Sequence, residues 1–117
     1  MIRRLRMSAT VLVSAAVLAV AQAVPAQALT YNYSVVGSNS GGANLRFTSS
    51  IYSPSLGYFR NGQRVWMICW KDSQWLVPPA SDYSSGRWFY IEIDNINHTR
   101  GWMHSSLVEN QRVAPRC

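Results

Sequence analysis

Short segments in which apolar and polar residues alternate recur along the chain from residue 31 onward. Residues 31–35 alternate in this way, which is the pattern of a strand with one face buried. Further apolar or alternating segments predict strands at 44–47, 56–59, 65–70, 88–93 and 101–103. Residues 65–70 are almost continuously apolar, so this strand is predicted to be the central one.

Side-chain alternation also predicts the two faces of the central strand. It places Val65, Met67 and Cys69 on one face, and Trp66, Ile68 and Trp70 on the other. The predicted core consists of Val65, Trp66, Met67, Ile91 and Trp102.

Turn residues separate the predicted strands. Asn61-Gly62 is the strongest two-residue hairpin signal, and residues 37–42 and 84–86 are rich in Ser and Gly. Helical periodicity longer than a turn is absent from the pattern except at 105–109, where a short helical turn is predicted. The sequence therefore predicts an all-β domain, either a small closed barrel or a sandwich.

The first 28 residues have the three parts of a secretory signal peptide. Arg3, Arg4 and Arg6 precede an apolar run over 11–24, and Ala26-Gln27-Ala28 fits a cleavage site. We expect export by the general secretory route, cleavage after Ala28, and a single mature domain over 29–117 that is secreted. An uncleaved membrane anchor is the alternative, but the apolar run is shorter than the about 20 residues that a spanning helix needs.

Cys69 and Cys117 are the two cysteines of the chain, and both lie in the predicted mature part. Because exported proteins meet an oxidising compartment, the sequence predicts a disulfide bond between them. In the chain-entropy description, such a bond stabilises the domain by about 4 kcal/mol.

The formal net charge of the chain is +6. Without the three arginines of the signal peptide, eight basic and five acidic residues remain, which is a net charge of +3. This mild, scattered charge permits attraction to anionic surfaces but does not indicate a nucleic-acid partner.

Candidate catalytic groups are few. Cys69 with His98 or His104 is a conceivable nucleophile and base, but a disulfide-bonded cysteine has no thiolate. Both histidines are expected to be solvated. Glu92 and Asp94 are a conceivable carboxylate pair for glycoside hydrolysis, although a solvated strand face is the simpler interpretation. We therefore expect no catalytic residue, metal or cofactor.

Aromatic residues are the stronger candidates for binding. Five Trp, six Tyr and three Phe are more than one small core can hide. The predicted ligand contacts flank loops: Tyr52, Tyr58, Trp70, Trp75 and Tyr83, with Arg46 and Arg60 placed to meet a carboxylate or phosphate.

The ordered motifs of the mature chain resemble bacterial Src-homology-3-like domains of exported proteins, especially stand-alone actinobacterial ones. The motifs are Gly42-Ala43-Asn44-Leu45-Arg46, Thr48-Ser49-Ser50, Leu56-Gly57, Asn61-Gly62, Trp88-Phe89-Tyr90-Ile91, Gly101-Trp102-Met103 and the end at Val113-Ala114-Pro115-Arg116-Cys117. The resemblance implies an SH3-like barrel of five to six short antiparallel strands. The chain departs from the family in the first loop, where Thr48-Ser49 stands in place of Gly-Pro, so no ligand carries over.

Together these features favour a secreted, monomeric, non-enzymatic module that binds peptide or glycopeptide of the cell wall. A secreted inhibitor or effector that docks on an exported hydrolase is the alternative. A minimal cell-wall hydrolase is a third hypothesis.

Overall fold

The computed structural model describes residues 33–117. The predicted signal peptide over 1–28, its cleavage after Ala28 and the first residues of the predicted mature domain lie outside these described residues.

Seven strands and one short helix build the described part of the chain. The strands are β1 (Ser34–Val36), β2 (Gly42–Arg46), β3 (Ser55–Arg60), β4 (Arg64–Leu76), β5 (Ser85–Ile93), β6 (Arg100–His104) and β7 (Val108–Glu109). They form one curled antiparallel sheet in the order β3-β2-β6-β5-β4-β1-β7, which closes halfway into a barrel. The prediction of a small all-β, barrel-like domain is confirmed.

The seventh strand is one more than the predicted five to six. Of residues 105–109, only Ser105–Leu107 form a helical turn, a 3-10 helix. Val108 and Glu109 then pair with Val36 and Val35 of β1. Val108 is buried, so pairing with β1 and burial of this side chain favour an extended conformation over a second helical turn.

Strand β4 continues well beyond the predicted 65–70. It pairs with β5 as far as Leu76 and Ser85, and the two strands form a long hairpin. The extension contains Lys71, Asp72, Ser73 and Gln74, which lack an apolar pattern. Their strand conformation is therefore fixed by cross-strand pairing and not by local hydrophobicity.

A β-bulge in β4 changes the predicted faces. Met67 lies opposite Ile91 but Cys69 lies opposite Tyr90, so Ile68 is the extra residue. As a result Met67 and Trp70 both pack against the core, although simple alternation places them on opposite faces. That part of the face prediction is wrong because the bulge shifts the alternation by one residue.

The buried core lies on the inner face of the curled sheet. Its members come from six strands: Val36, Ala43, Leu45, Val65, Phe89, Ile91, Ile93, Met103 and Val108. Val65 and Ile91 are core residues as predicted, and Met67 is partly buried against them.

The predicted core position of Trp66 is wrong. Trp66 is 48% exposed and lies opposite Glu92 on β5. Trp102 is only half-buried and lies beside Tyr90, with ring centroids 5.2 Å apart. The fully buried tryptophan is instead Trp88, at 1% exposure.

Cys69 and Cys117 form the predicted disulfide bond, with their Cα atoms 5.0 Å apart. The C-terminal segment over residues 111–117, which we call the tail, thereby lies along β4. Arg116 forms a parallel bridge with Trp70. The tail covers part of the β4 edge that β1 leaves unpaired, because β1 reaches only Arg64 and Val65.

Candidate functional site

Three surface depressions contain five of the seven predicted ligand contacts. Trp75 and Tyr83 line one depression of about 500 Å³. Trp70 lines a second of about 220 Å³. Arg46 and Tyr58 line a third of about 160 Å³. Tyr52 and Arg60 line none of these three.

The first two depressions share Arg87 and Gln111, so they adjoin. We call them together the hairpin groove, since most of its lining comes from the β4–β5 hairpin. The lining residues are Met67, Trp70, Asp72, Ser73, Trp75, Tyr83, Ser85, Gly86, Arg87, Phe89, Ser105, Gln111, Arg112, Val113 and Ala114. Three of the five predicted aromatic contacts thus meet in one place.

Arg87 lies where the two halves of the groove meet. Its Nε donates to Asp72 Oδ1 at 3.3 Å, and its guanidinium carbon lies 3.8 Å from the centre of the Trp70 ring. The three residues lie on one face because Asp72 pairs with Arg87, and Trp70 with Phe89, in the hairpin register. The Trp70 ring is therefore already stacked by a cation, and its role in the groove is to hold Arg87 in position.

Trp75 and Tyr83 are the aromatic side chains that the groove leaves open. Trp75 is 66% exposed, and Tyr83 is also exposed. A Cβ atom on Gly86 would lie 3.2 Å from the Trp75 ring, so the missing side chain of Gly86 leaves room for the indole across β5. The ring is thus supported from one side and accessible from another.

The third depression is smaller, and its polar groups are also paired within the chain. Arg46 donates to the carbonyl oxygen of Ser53 at 3.2 Å. Asn44, another lining residue, accepts from Ser55 at 2.9 Å. This depression contains one exposed aromatic side chain, Tyr58, whereas the hairpin groove contains Trp75 and Tyr83, so it is the weaker candidate.

His104 borders the third depression but is not solvated, so that prediction is wrong. It is 1% exposed, and its ring lies edge-on to Trp88 at 5.3 Å. Its Nδ1 accepts the backbone N–H of Ser106 at 3.2 Å, so the proton is on Nε2, which donates to the carbonyl oxygen of Ser85 at 2.8 Å. Burial lowers the pKa of His104, while the bond to Ser85 opposes this shift. The neutral ring is a structural group.

Glu92 and Asp94 are held in surface ion pairs with arginines, and His98 lies beside Glu92. Glu92 accepts from Arg100 at 2.9 Å and lies 3.4 Å from the exposed His98, while Asp94 lies 3.5 Å from Arg64. The hydrogen bond from Arg100 lowers the pKa of Glu92. The general acid of a glycosidase needs a raised pKa, whereas the pKa of Glu92 is lowered. Glu92 therefore does not fit that role.

Sequence reasoning missed Asp72, Arg87 and Gln111 in the groove. Asp72 and Arg87 meet because the antiparallel hairpin register places them opposite each other, and no single segment of the sequence encodes that register. Gln111 was missed because only the folded tail brings it there. Its side chain donates to the carbonyl oxygens of Ser105 and Val108.

Among residues 33–117, no group of three or more His, Cys, Asp or Glu side chains is placed to hold a metal ion. Within the same residues, no helix has the length and hydrophobicity needed to cross a membrane.

Comparison of the chain with models of protein families, with curated proteins and with solved structures finds no match. The resemblance to Src-homology-3-like domains therefore stays a prediction from the sequence motifs.

Proposed function

We propose that this protein is an exported, non-enzymatic binding module of the Src-homology-3-like type, and that its hairpin groove holds peptide or glycopeptide of the cell wall. The observation that carries the proposal is that two exposed aromatic residues, Trp75 and Tyr83, and the polar Asp72–Arg87 pair line the larger depression of this groove, of about 500 Å³.

The chemistry of the groove supports a ligand with both flat apolar and polar parts. Exposed indole and phenol rings pack against sugar rings and extended peptides. The burial of apolar ring surface in such a contact favours binding. The Asp72 carboxylate and the Arg87 guanidinium add an acceptor and donors at the centre of the groove.

The rigidity of the surroundings also supports a binding role. Trp75 and Gly86 belong to strands of a single hairpin, and Gln111 is tied to the 3-10 helix and β7 by two hydrogen bonds. Groups held in place before binding lose less conformational entropy when a ligand arrives.

Sedimentation with insoluble peptidoglycan tests the proposal. The purified, oxidised protein should be depleted from the supernatant at low salt. Trp75→Ala should weaken this binding about tenfold, since a stacked aromatic contact contributes about 1 kcal/mol or more. Tyr52→Ala is the matched control, because Tyr52 is 86% exposed but lies outside the groove.

Recovery of all the protein in the supernatant would overturn the cell-wall partner. Equal binding by wild type and Trp75→Ala would overturn the groove as its site. Capture of a hydrolase from culture supernatant, without binding to peptidoglycan, would favour the inhibitor hypothesis instead.

A further inference from the structure

The tail shows how an extended chain binds to the open edge of β4. The N–H of Trp70 donates to the carbonyl oxygen of Pro115 at 3.0 Å, and the N–H of Cys117 donates to the carbonyl oxygen of Trp70 at 2.8 Å. Both polar backbone groups of Trp70 therefore point away from β5 and toward the tail.

Backbone polar groups along a strand point alternately to one edge and to the other. Trp70 and Phe89 are thus a pair without hydrogen bonds across the hairpin. The same holds two positions further on, where Asp72 lies opposite Arg87 in continuous register. The N–H and C=O of Asp72 therefore point to the edge that the tail uses, but in the described part of the chain the hydrogen bonds to the tail end at Trp70.

The open backbone groups of Asp72 belong to a residue that also lines the hairpin groove. Asp72 lines the larger depression together with Trp75 and Tyr83. An extended chain that enters this depression along β4 meets the N–H and C=O of Asp72, with the two aromatic side chains beside it.

We infer that the groove takes the peptide part of its ligand as an extended strand, which adds to the edge of β4 at Asp72. This inference rests on the proposed function and specifies its ligand. A paired N–H and C=O on a strand edge match a peptide backbone, and neighbouring pockets then select alternate side chains of the added strand. A sugar ring offers no such repeating pair. The tail at Trp70 supplies the precedent within this chain.

Two variants at position 72 distinguish the contribution of the backbone N–H to binding from that of the side chain. Asp72→Pro removes the N–H, and Asp72→Asn keeps it; both variants remove the carboxylate that pairs with Arg87. Proline is tolerated in a strand where the N–H faces an open edge, so the fold should persist, which circular dichroism without ligand checks.

Titration calorimetry with soluble peptidoglycan stem peptides, and with glycan strands stripped of peptide, measures the effect. We expect the wild type to bind the stem peptides, Asp72→Pro to bind about tenfold more weakly than Asp72→Asn, and the bare glycan not to bind. Amide exchange supplies a second measurement on the wild type: the Asp72 N–H should become protected when the stem peptide is added.

The possible failures are distinguishable. No binding of the wild type to peptide or glycan overturns the proposed function itself. Wild-type binding that Asp72→Pro retains, an Asp72 N–H that stays unprotected, or equal binding of bare glycan overturns strand addition alone. A concentration-dependent dimer that Asp72→Pro abolishes would assign the edge to a second copy and also overturn the peptide.

Discussion

The guanidinium carbon of Arg87 lies 3.8 Å from the centre of the Trp70 ring, and Asp72 anchors the same guanidinium at 3.3 Å. This stack separates the two halves of the hairpin groove. The contacts also join side chains of two strands in one continuous surface, because Trp70 and Asp72 come from β4 and Arg87 comes from β5.

Arg87→Ala should disturb the groove and leave the fold intact. We expect the indole N–H resonance of Trp70 to shift and peptidoglycan binding to weaken about fivefold. The free energy of unfolding should change by no more than about 1 kcal/mol, since the Asp72–Arg87 ion pair is solvent-exposed. Arg100→Ala, which breaks the surface pair with the partly buried Glu92, is the control. Equal effects of the two variants on binding would contradict a specific role of Arg87.

Reduction of the Cys69–Cys117 bond should release the tail without unfolding the sheet. None of the buried core residues belongs to the tail, so β-sheet circular dichroism should persist. The closed loop spans 48 positions, so the free energy of unfolding in urea should fall by about 4 kcal/mol in the chain-entropy description. The amide of Trp70 should lose its protection from exchange. An unchanged urea midpoint after complete reduction would contradict this account.

Substitution of a core tryptophan and of a surface tryptophan should change the free energy of unfolding by different amounts. Trp88→Ala should lower the free energy of unfolding by about 3–5 kcal/mol, since it removes a fully buried indole that donates to the carbonyl oxygen of Gln74 at 2.8 Å. Trp66→Ala should cost about 1 kcal/mol or less, because its side chain is half exposed. Thermal and urea unfolding of both variants measure the difference. The opposite order would mean that the assignment of inner and outer faces is wrong.

The buried His104 should make stability depend on pH. Because its pKa in the folded protein lies below its ordinary value of 6.5, the unfolded chain takes up a proton first as the pH falls. Stability contributed by the neutral ring is therefore present above pH 6.5 and is lost progressively below it, by at most about 1.4 kcal/mol per pH unit for one proton. The stability that the ionised Glu92 contributes is lost only at lower pH, since the pKa of that carboxyl in the folded protein lies below its ordinary value of 4.5.

Urea unfolding between pH 7 and 5 measures this dependence. His104→Gln should be less stable at pH 7 and should lose the His104 contribution to the slope. His98→Gln is the control, because His98 is an exposed turn residue. If the free energy of unfolding of His104→Gln depended on pH as steeply as that of the wild type, His104 would not be the source of the pH dependence.

The hairpin shows why part of the fold and of the groove was predictable. The apolar segments at 65–70 and 88–93 indicate strands, and Asn61-Gly62 indicates a turn, from local pattern alone. The polar extension over Lys71–Gln74 has no such pattern, and the bulge at Ile68 has no local signal. Both depend on hydrogen-bonded pairing with β5, which a single segment does not encode.

The sequence by itself determined the strand class, the disulfide partners and the surplus of aromatic residues, because alternation, cysteine count and composition do not depend on which residues meet in the fold. It also named Trp70, Trp75 and Tyr83 as candidates. Only the tertiary structure decided which aromatic residues meet, since the bulge turns Trp70 toward the core and the hairpin register brings Arg87 onto it. Likewise the burial of His104 and the exposure of Trp66 follow from sheet curvature and cross-strand packing, which join residues distant in sequence.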